Sequence, residues 1–338
     1  MKVAFLTNTT EVRPEHNGDS NFGDCLIGHG LKYLIEMTNP SMRFEWVDIS
    51  RFSVLSEEDK AKMKECDVIV YAGMPQYNIF SDWSFYYDDG IYDDIKAADK
   101  PFYKLAGGFG SSNPIPTVKE AVERAKNDPR TIELINKACS IAKITTVRDR
   151  YAHEILNALS IKNTLLPCPA SYSLFYKSDQ KEVERDINLF SITSAVLNPS
   201  EFEVIKNAFN LMRLTYPETY FICQNYKRDY DFLVDHNIKK NCIIQPESVA
   251  EFKTYLRRAD KVFTTRLHTA LPAFVNKSKV ILFKVDTRAS AAYALQSGLI
   301  PLDISEFEME MLTTRFQEMT DSYHIGLSTG FYEGIFSR

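Results

Sequence analysis

The chain has 338 residues, of which 44% are apolar and 25% charged, with 13 Gly and 14 Pro. This is the composition of a globular protein long enough for about two domains, and it excludes disordered, collagen-like and low-complexity chains. The 40 basic and 45 acidic residues leave a net charge of −5, which argues against nucleic acid as a main partner. No apolar run reaches the roughly 18 residues of a spanning helix. The opening stretch MKVAFLTNTTEVRPE reads as a first strand rather than a signal peptide. Six cysteines are scattered without a C-x-x-C pair. They are expected to be reduced, buried thiols in a cytoplasmic protein.

In chain order, Lys2–Leu6 is a β-type run, followed by a polar loop and a helix over about Cys25–Met37. Phe44–Ile49 reads as a strand, and Ser56–Lys64 as a helix that opens with a capping-box-like Ser-x-x-Asp. Val68–Tyr71, Phe102–Ala106 and Ile144–Val147 are buried strands; Thr117–Ala125, Thr131–Cys139 and Tyr151–Leu159 are helices. Pro167–Arg185 is Pro-containing and charged and breaks this rhythm, so the domain boundary is expected there. The alternation then resumes. Strands are expected at Ile187–Ile192, Tyr220–Cys223, Cys242–Ile244, Lys261–Thr264 and Val280–Lys284, and helices at Pro199–Leu214, Ser248–Arg257 and His268–Asn276. A last helix is expected over Glu306–Thr320, before an aromatic tail. The pattern predicts an α/β protein with two facing Rossmann-like domains and a cleft between them. The domains are 1–175 and 185–305, and 306–338 is a C-terminal helix and tail packing back on the first domain. Contact of the tail Tyr323–Phe336 with a membrane surface is the alternative. In such a fold, ligands bind in the loops that follow strands.

Five such places carry polar chemistry. Asn17–Asp24 precedes the first long helix, as a turn and N-cap or as groups for hydroxyls. Ala72-Gly73-Met74 and Ala106-Gly107-Gly108-Phe109-Gly110 are glycine turns after strands, without a P-loop or G-x-G-x-x-G signature. Asp82–Asp99 interleaves six Asp with five aromatic residues, and Tyr87 and Asp88 within it and Tyr77 before it could form a sugar platform; a solvated loop is the alternative. Arg148 at a strand end could reach the cleft or pair with Asp149 or Glu154. Arg266 and His268 lie two apart at a strand end that leads into an apolar helix, with Lys284 and Arg288 further on. Arginine offers a planar fork for phosphate or carboxylate, and histidine moves protons near neutral pH. Lys253–Arg288 holds nine basic residues and two acidic ones, which favours a small anionic ligand there.

In this order, Asn21-Phe22-Gly23-Asp24, the glycine turns, Val147-Arg148-Asp149, Pro169-Ala170 and Arg266-Leu267-His268 resemble the polysaccharide pyruvyl transferase family over about residues 1–300. The resemblance implies a GT-B-like fold and transfer of a pyruvyl unit from phosphoenolpyruvate, as co-substrate, to a sugar diol, giving a pyruvate ketal and phosphate. It implies no further cofactor. Carried over, Arg148, Arg266 and His268 serve the donor. Cys168 stands where the family has Asp, the first glycine turn lacks a triplet, and Arg288 rather than Lys follows the last strand. On this reading Arg148, Arg266, Arg288 and Lys284 bind the donor. His268 is the general acid, Asp24 the base, and Asn21, Tyr77, Tyr87 and Asp88 contact the acceptor, a free glycan, a lipid-linked saccharide or a nucleotide-sugar. No metal is required, because the arginines neutralise the phosphate. The cytoplasmic face of the membrane is one expected location. A GT-B glycosyltransferase using a nucleotide-sugar is the alternative, with Glu247 as its ribose carboxylate.

Overall fold

The computed structural model describes residues 1–7, 21–50, 55–77, 89–111, 115–178, 183–295, 299, 301–311 and 329–337. The first lobe comprises β1 (Lys2–Thr7), α1 (Phe22–Thr38), β2 (Glu45–Ser50), α2 (Glu57–Glu65), β3 (Val68–Ala72), α3 (Asp89–Ala97), β4 (Phe102–Gly107), α4 (Val118–Asn127), α5 (Pro129–Ser140), β5 (Ala142–Val147), α6 (Arg150–Ala158) and β6 (Thr164–Leu165). Its six strands are all parallel, in the order β2-β1-β3-β4-β5-β6. The second lobe comprises β7 (Ile187–Ser191), α7 (Pro199–Thr215), β8 (Thr219–Ile222), α8 (Arg228–Asp235), β9 (Ile243–Ile244), α9 (Val249–Arg258), β10 (Ala259–Thr264), α10 (Leu267–Val275) and β11 (Lys279–Leu282). It forms a second parallel sheet, β11-β10-β7-β8-β9. β3, β4 and β7 are buried at every position, as expected of strands covered by helices on both faces.

Helix α1 joins the lobes. Its Asn21 N-cap accepts from the Gly23 N–H at 2.9 Å. Leu31, Leu34 and Ile35 pack on the first sheet, while Phe22, Cys25 and Leu26 join a cluster that includes Phe252, Leu267 and Leu271 of the second lobe. The Phe22 ring stacks on Phe252 at 4.9 Å. Further along, α1 lies against the 3-10 segment Pro169–Phe175 so closely that a methyl at Gly30 would come within 1.6 Å of the Pro169 carbonyl oxygen. Only glycine fits there.

Three elements differ from the sequence reading. Residues 89–97 form a helix, because Ile91, Tyr92, Ile95 and Ala98 fall at helical spacing and are buried. Helix α8 was not expected from its polar sequence. Ile304–Glu306 is a short 3-10 turn rather than the start of a long helix, and 312–328 lie outside the described residues. At the C-terminus, Tyr332 and Ile335 are buried in the first-lobe core beside Val3 and Phe5. Asn39 holds this segment, donating to the Tyr332 carbonyl at 3.0 Å and accepting from the Gly334 N–H at 2.9 Å.

His29 on α1 lies 5.1 Å from the Tyr176 ring, and its Nδ1 has no partner. Burial, with Lys253, Lys32 and Lys177 nearby, lowers its pKa to about 3. Between that value and the ordinary 6.5, the unfolded chain binds the proton and the folded chain does not, so stability is full above pH 6.5 and falls as the pH drops below it. His29→Gln is therefore expected to flatten the loss of melting temperature between about pH 6.5 and 5, as measured by thermal unfolding across that range. An unchanged slope refutes the assignment.

Candidate functional site

The polar groups of the site all follow strands. After β3 and at the end of β4 the backbone takes left-handed conformations at Gly73 (φ 73°), Met74 (φ 66°) and Ala106 (φ 57°). A left-handed backbone is strained for the two non-glycine residues, and such strain gathers at functional sites. The two turns are bonded to each other and to the next loop: Gly108 N–H donates to the Met74 carbonyl at 2.9 Å, and Arg148 N–H to the Gly107 carbonyl at 3.0 Å. Asp149 caps α6 by accepting from the Ala152 N–H (2.9 Å) and also accepts from the Phe109 N–H (2.8 Å). Burial raises its pKa, against the pull of these hydrogen bonds and of Arg148. Asp149 thus anchors the loop, and Arg148 is left 2% exposed with its Nη1 unpartnered. The neighbouring Cys168 thiol lies against Arg148, and burial pushes its pKa up, so it supplies no negative charge.

From the second lobe, Thr193, Gln224, Arg266, Leu267, His268 and Arg288 line a small pocket. One edge of the Arg266 guanidinium is fully used: Nη2 donates to both Asp229 oxygens at 2.7 Å, and Nε to the Ile192 carbonyl at 2.5 Å. Asp229 also accepts from Ser194 Oγ (2.8 Å) and from the Gln224 and Asn225 N–H groups (3.2 and 2.8 Å). Arg288 is bonded to Asp286 through Nε (2.8 Å) and Nη2. Arg266 stands at the N-cap of α10 with no side-chain cap bond, which leaves the positive end of that helix at the pocket.

His268, in the first turn of α10, is 7% exposed, and its Nε2 has no partner. Burial, then Arg148, Arg288 and Arg266, hold its pKa well below the usual value, so the imidazole is neutral at pH 7. Arg148 comes from the first lobe and the other two from the second, so cations from both lobes act on one ring. Two buried polar atoms without partners, Nε2 of His268 and Nη1 of Arg148, are costly unless a ligand meets them.

The lobes touch around this point. Phe22 N–H donates to the Gln224 carbonyl at 3.1 Å, and Gln224 Nε2 donates to Asn21 Oδ1 at 2.8 Å. Across the cleft Ser111 N–H donates to Thr287 Oγ1 (2.8 Å), and Thr287 N–H to the Ser111 carbonyl (3.0 Å). A methyl on Gly23 would lie 2.6 Å from Gln224 Nε2 and 2.7 Å from His268 Nδ1.

The structure thus brings Arg148, Arg266, Arg288 and His268 together. Four other expectations need correction. Lys284 is exposed beside Asp303 and does not line the pocket. Tyr77 is fully buried, its ring under Lys104 Nζ at 4.4 Å, so it offers no face to a sugar. The Asn21 side-chain oxygen is committed to the α1 cap and to Gln224, as a link between lobes. Arg148 is not paired with Glu154, whose carboxylate lies 3.8 Å from Arg150. Asp24 is nearly buried, one residue beyond Gly23. Tyr87 and Asp88 lie outside the described residues. Among the described residues no group of three or more His, Cys, Asp or Glu could hold a metal, and no helix is long and apolar enough to cross a membrane. Sequence reasoning missed Asp229, Gln224 and Thr193, each of which follows a strand of the second sheet.

Gly23→Ala is expected to displace Gln224 and His268 and to cut anion binding and turnover by about tenfold or more, since such overpacking costs roughly 1–3 kcal/mol. Calorimetric binding and steady-state rates check this; unchanged values would mean that the Gly23–His268 contact does not shape the site.

Among solved structures, the chain is similar to UDP-GlcNAc 2-epimerase from Methanocaldococcus jannaschii, at 15% identity and TM-score 0.55, covering 100% of this chain and 99% of that one. It is also similar to a UDP co-structure of S. aureus MnaA (10% identity, TM-score 0.59, 99% and 95% covered) and to UDP-GlcNAc 2-epimerase from Neisseria meningitidis (11%, 0.53, 100% and 98%). At such identities the likeness concerns the fold, which is GT-B-like. No curated protein sequence matches the chain significantly. The family profile described as polysaccharide pyruvyl transferase matches residues 21–287, the span that holds both sheets from α1 onward together with Arg148, Arg266 and His268, and the chain belongs to that family.

Proposed function

We propose that the chain transfers the pyruvyl unit of phosphoenolpyruvate to two hydroxyls of a sugar, forming a cyclic ketal and releasing phosphate. The observation that carries this is the convergence of Arg148, Arg266 and Arg288 on the buried, unpartnered His268. Phosphoenolpyruvate is compact and carries a phosphate and a carboxylate. The uncapped end of α10 and the open edge of Arg266 suit one anionic group, and Arg148 from the opposite lobe suits the other. The pocket lining contains no carboxylate among the described residues, and Glu247 is exposed at the entry to α9. This favours a small anion over a nucleoside, whose ribose is commonly held by an acid.

In the mechanism, protonated His268 donates from Nε2 to the methylene carbon of the donor, which becomes a methyl group. The adjacent carbon then carries oxocarbenium character and is attacked by one sugar hydroxyl, with Asp24 as the base that receives its proton. The second hydroxyl attacks the same carbon, the carbon–oxygen bond to phosphate breaks, and phosphate leaves. Two hydroxyl protons are released in all; one replaces that given by His268 and the other leaves with phosphate. Closely apposed lobes hold donor and hydroxyls in position and keep water out. The acceptor is a sugar diol, free or lipid-linked, and the reaction serves the building of a polysaccharide.

Phosphate release from phosphoenolpyruvate with a panel of sugar diols tests the reading. His268→Ala is expected to lower kcat by about 10²-fold or more, and Arg148→Ala to raise KM for phosphoenolpyruvate by about tenfold or more, in line with loss of a charge-assisted contact. A His268→Ala variant turning over at the wild-type rate refutes the acid assignment. Thermal stabilisation by UDP or GDP but not by phosphoenolpyruvate would favour a nucleotide-sugar enzyme instead.

A further inference from the structure

We infer that the site takes up a proton from solvent, on the imidazole of His268, each time a dianion binds among its guanidiniums, so that the donor loads its own acid. This rests on the donor-site reading proposed above.

Without an anion beside it, the His268 ring is poorly placed to hold a proton. His268 Nε2 is buried and unpartnered, and the ring is faced by Arg148 from the β5–α6 turn, by Arg288 from the segment after β11 and by Arg266 at the head of its own helix. α1 contributes the uncharged Gly23 and Asn21, with Asp24 next in line, and the β8 turn contributes the amide of Gln224. The acids beside these cations already have their partners: Asp229 bonds Arg266 and three further donors, Asp286 bonds Arg288, and Asp149 accepts from the Phe109 and Ala152 N–H groups, so no carboxylate is turned to the ring. An imidazolium would be a fourth cation, beside the buried Arg148 and Arg266 and the half-buried Arg288. Two negative charges placed among the guanidiniums reverse the local potential, and each opposite charge within about 4–6 Å raises a pKa by roughly 1–3 units. The general acid is therefore protonated only when its substrate is present. Uptake is therefore largest between the pKa of His268 without the anion and its pKa with the anion bound, and it vanishes above the latter.

Sulfate is the suitable probe, because it stays a dianion across the range and releases no proton of its own. The full chain is titrated with sulfate by calorimetry at about pH 6, in two buffers of different ionisation heat. The expected result is a buffer-dependent heat equal to about half a proton or more taken up per sulfate, declining as pH rises, and lost in His268→Gln, which still binds sulfate. Saturable binding with buffer-independent heat at every pH overturns the inference, as does uptake that persists in His268→Gln. Proton uptake with sulfate but no binding of phosphoenolpyruvate upholds the coupling and removes the donor reading. Binding of neither anion removes both.

Discussion

Burying a guanidinium in a protein of net charge −5 demands compensation, and the cleft is organised around how each one obtains it. Desolvation of an ion costs several kcal/mol unless charge and hydrogen bonds replace the lost water. Arg266 obtains both from Asp229, which also gathers Ser194 and two backbone N–H groups and so fixes three loops of the second lobe in one arrangement. Arg288 obtains them from Asp286, two residues away. Arg148 has the poorest arrangement: Asp149 is turned to the glycine loop, and Cys168 is a neutral thiol. The least compensated cation is thus the first-lobe one, and a bound anion would supply its missing countercharge.

Geometry follows from the same constraint. The lobes are held by backbone bonds between α1 and the β8 turn, by the Ser111–Thr287 pair and by an apolar cluster that runs through α1. Gly23 and Gly108 leave room for His268 and for Arg148, since a methyl at either would approach a nitrogen of these side chains within 2.7 Å. The close approach of the lobes therefore depends on the missing side chain of Gly23, and the seating of Arg148 within the first lobe on that of Gly108, as much as on the charged residues.

Much of this was legible in the sequence, and the reason is locality. Runs of buried residues mark parallel strands, and the residues directly after them face the cleft; Arg148, Arg266 and His268 could be found by that rule alone. Asp229 could not, because its partner is 37 residues away and its own surroundings, Lys227-Arg228-Asp229-Tyr230-Asp231, read as solvated surface. Tyr77 was misjudged because an aromatic residue beside acids looks like a sugar platform, whereas the Lys104 ammonium over its ring comes from a strand 27 residues on. Helix α3 was hidden by composition: the run of Asp drew attention away from Ile91, Tyr92 and Ile95, which carry the helical period.

The C-terminal segment has a consequence for biosynthesis. Phe336 packs edge-on against Tyr103 at 5.0 Å and near Phe44, and Tyr332 and Ile335 fill the space beside Val3 and Phe5. The first lobe emerges from the ribosome early, yet part of its interior is made of residues translated after the entire second lobe. Until then a nascent first lobe presents an uncovered aromatic wall, the kind of surface that chaperones hold. Assembly of the two lobes is therefore not strictly vectorial: the first is completed last.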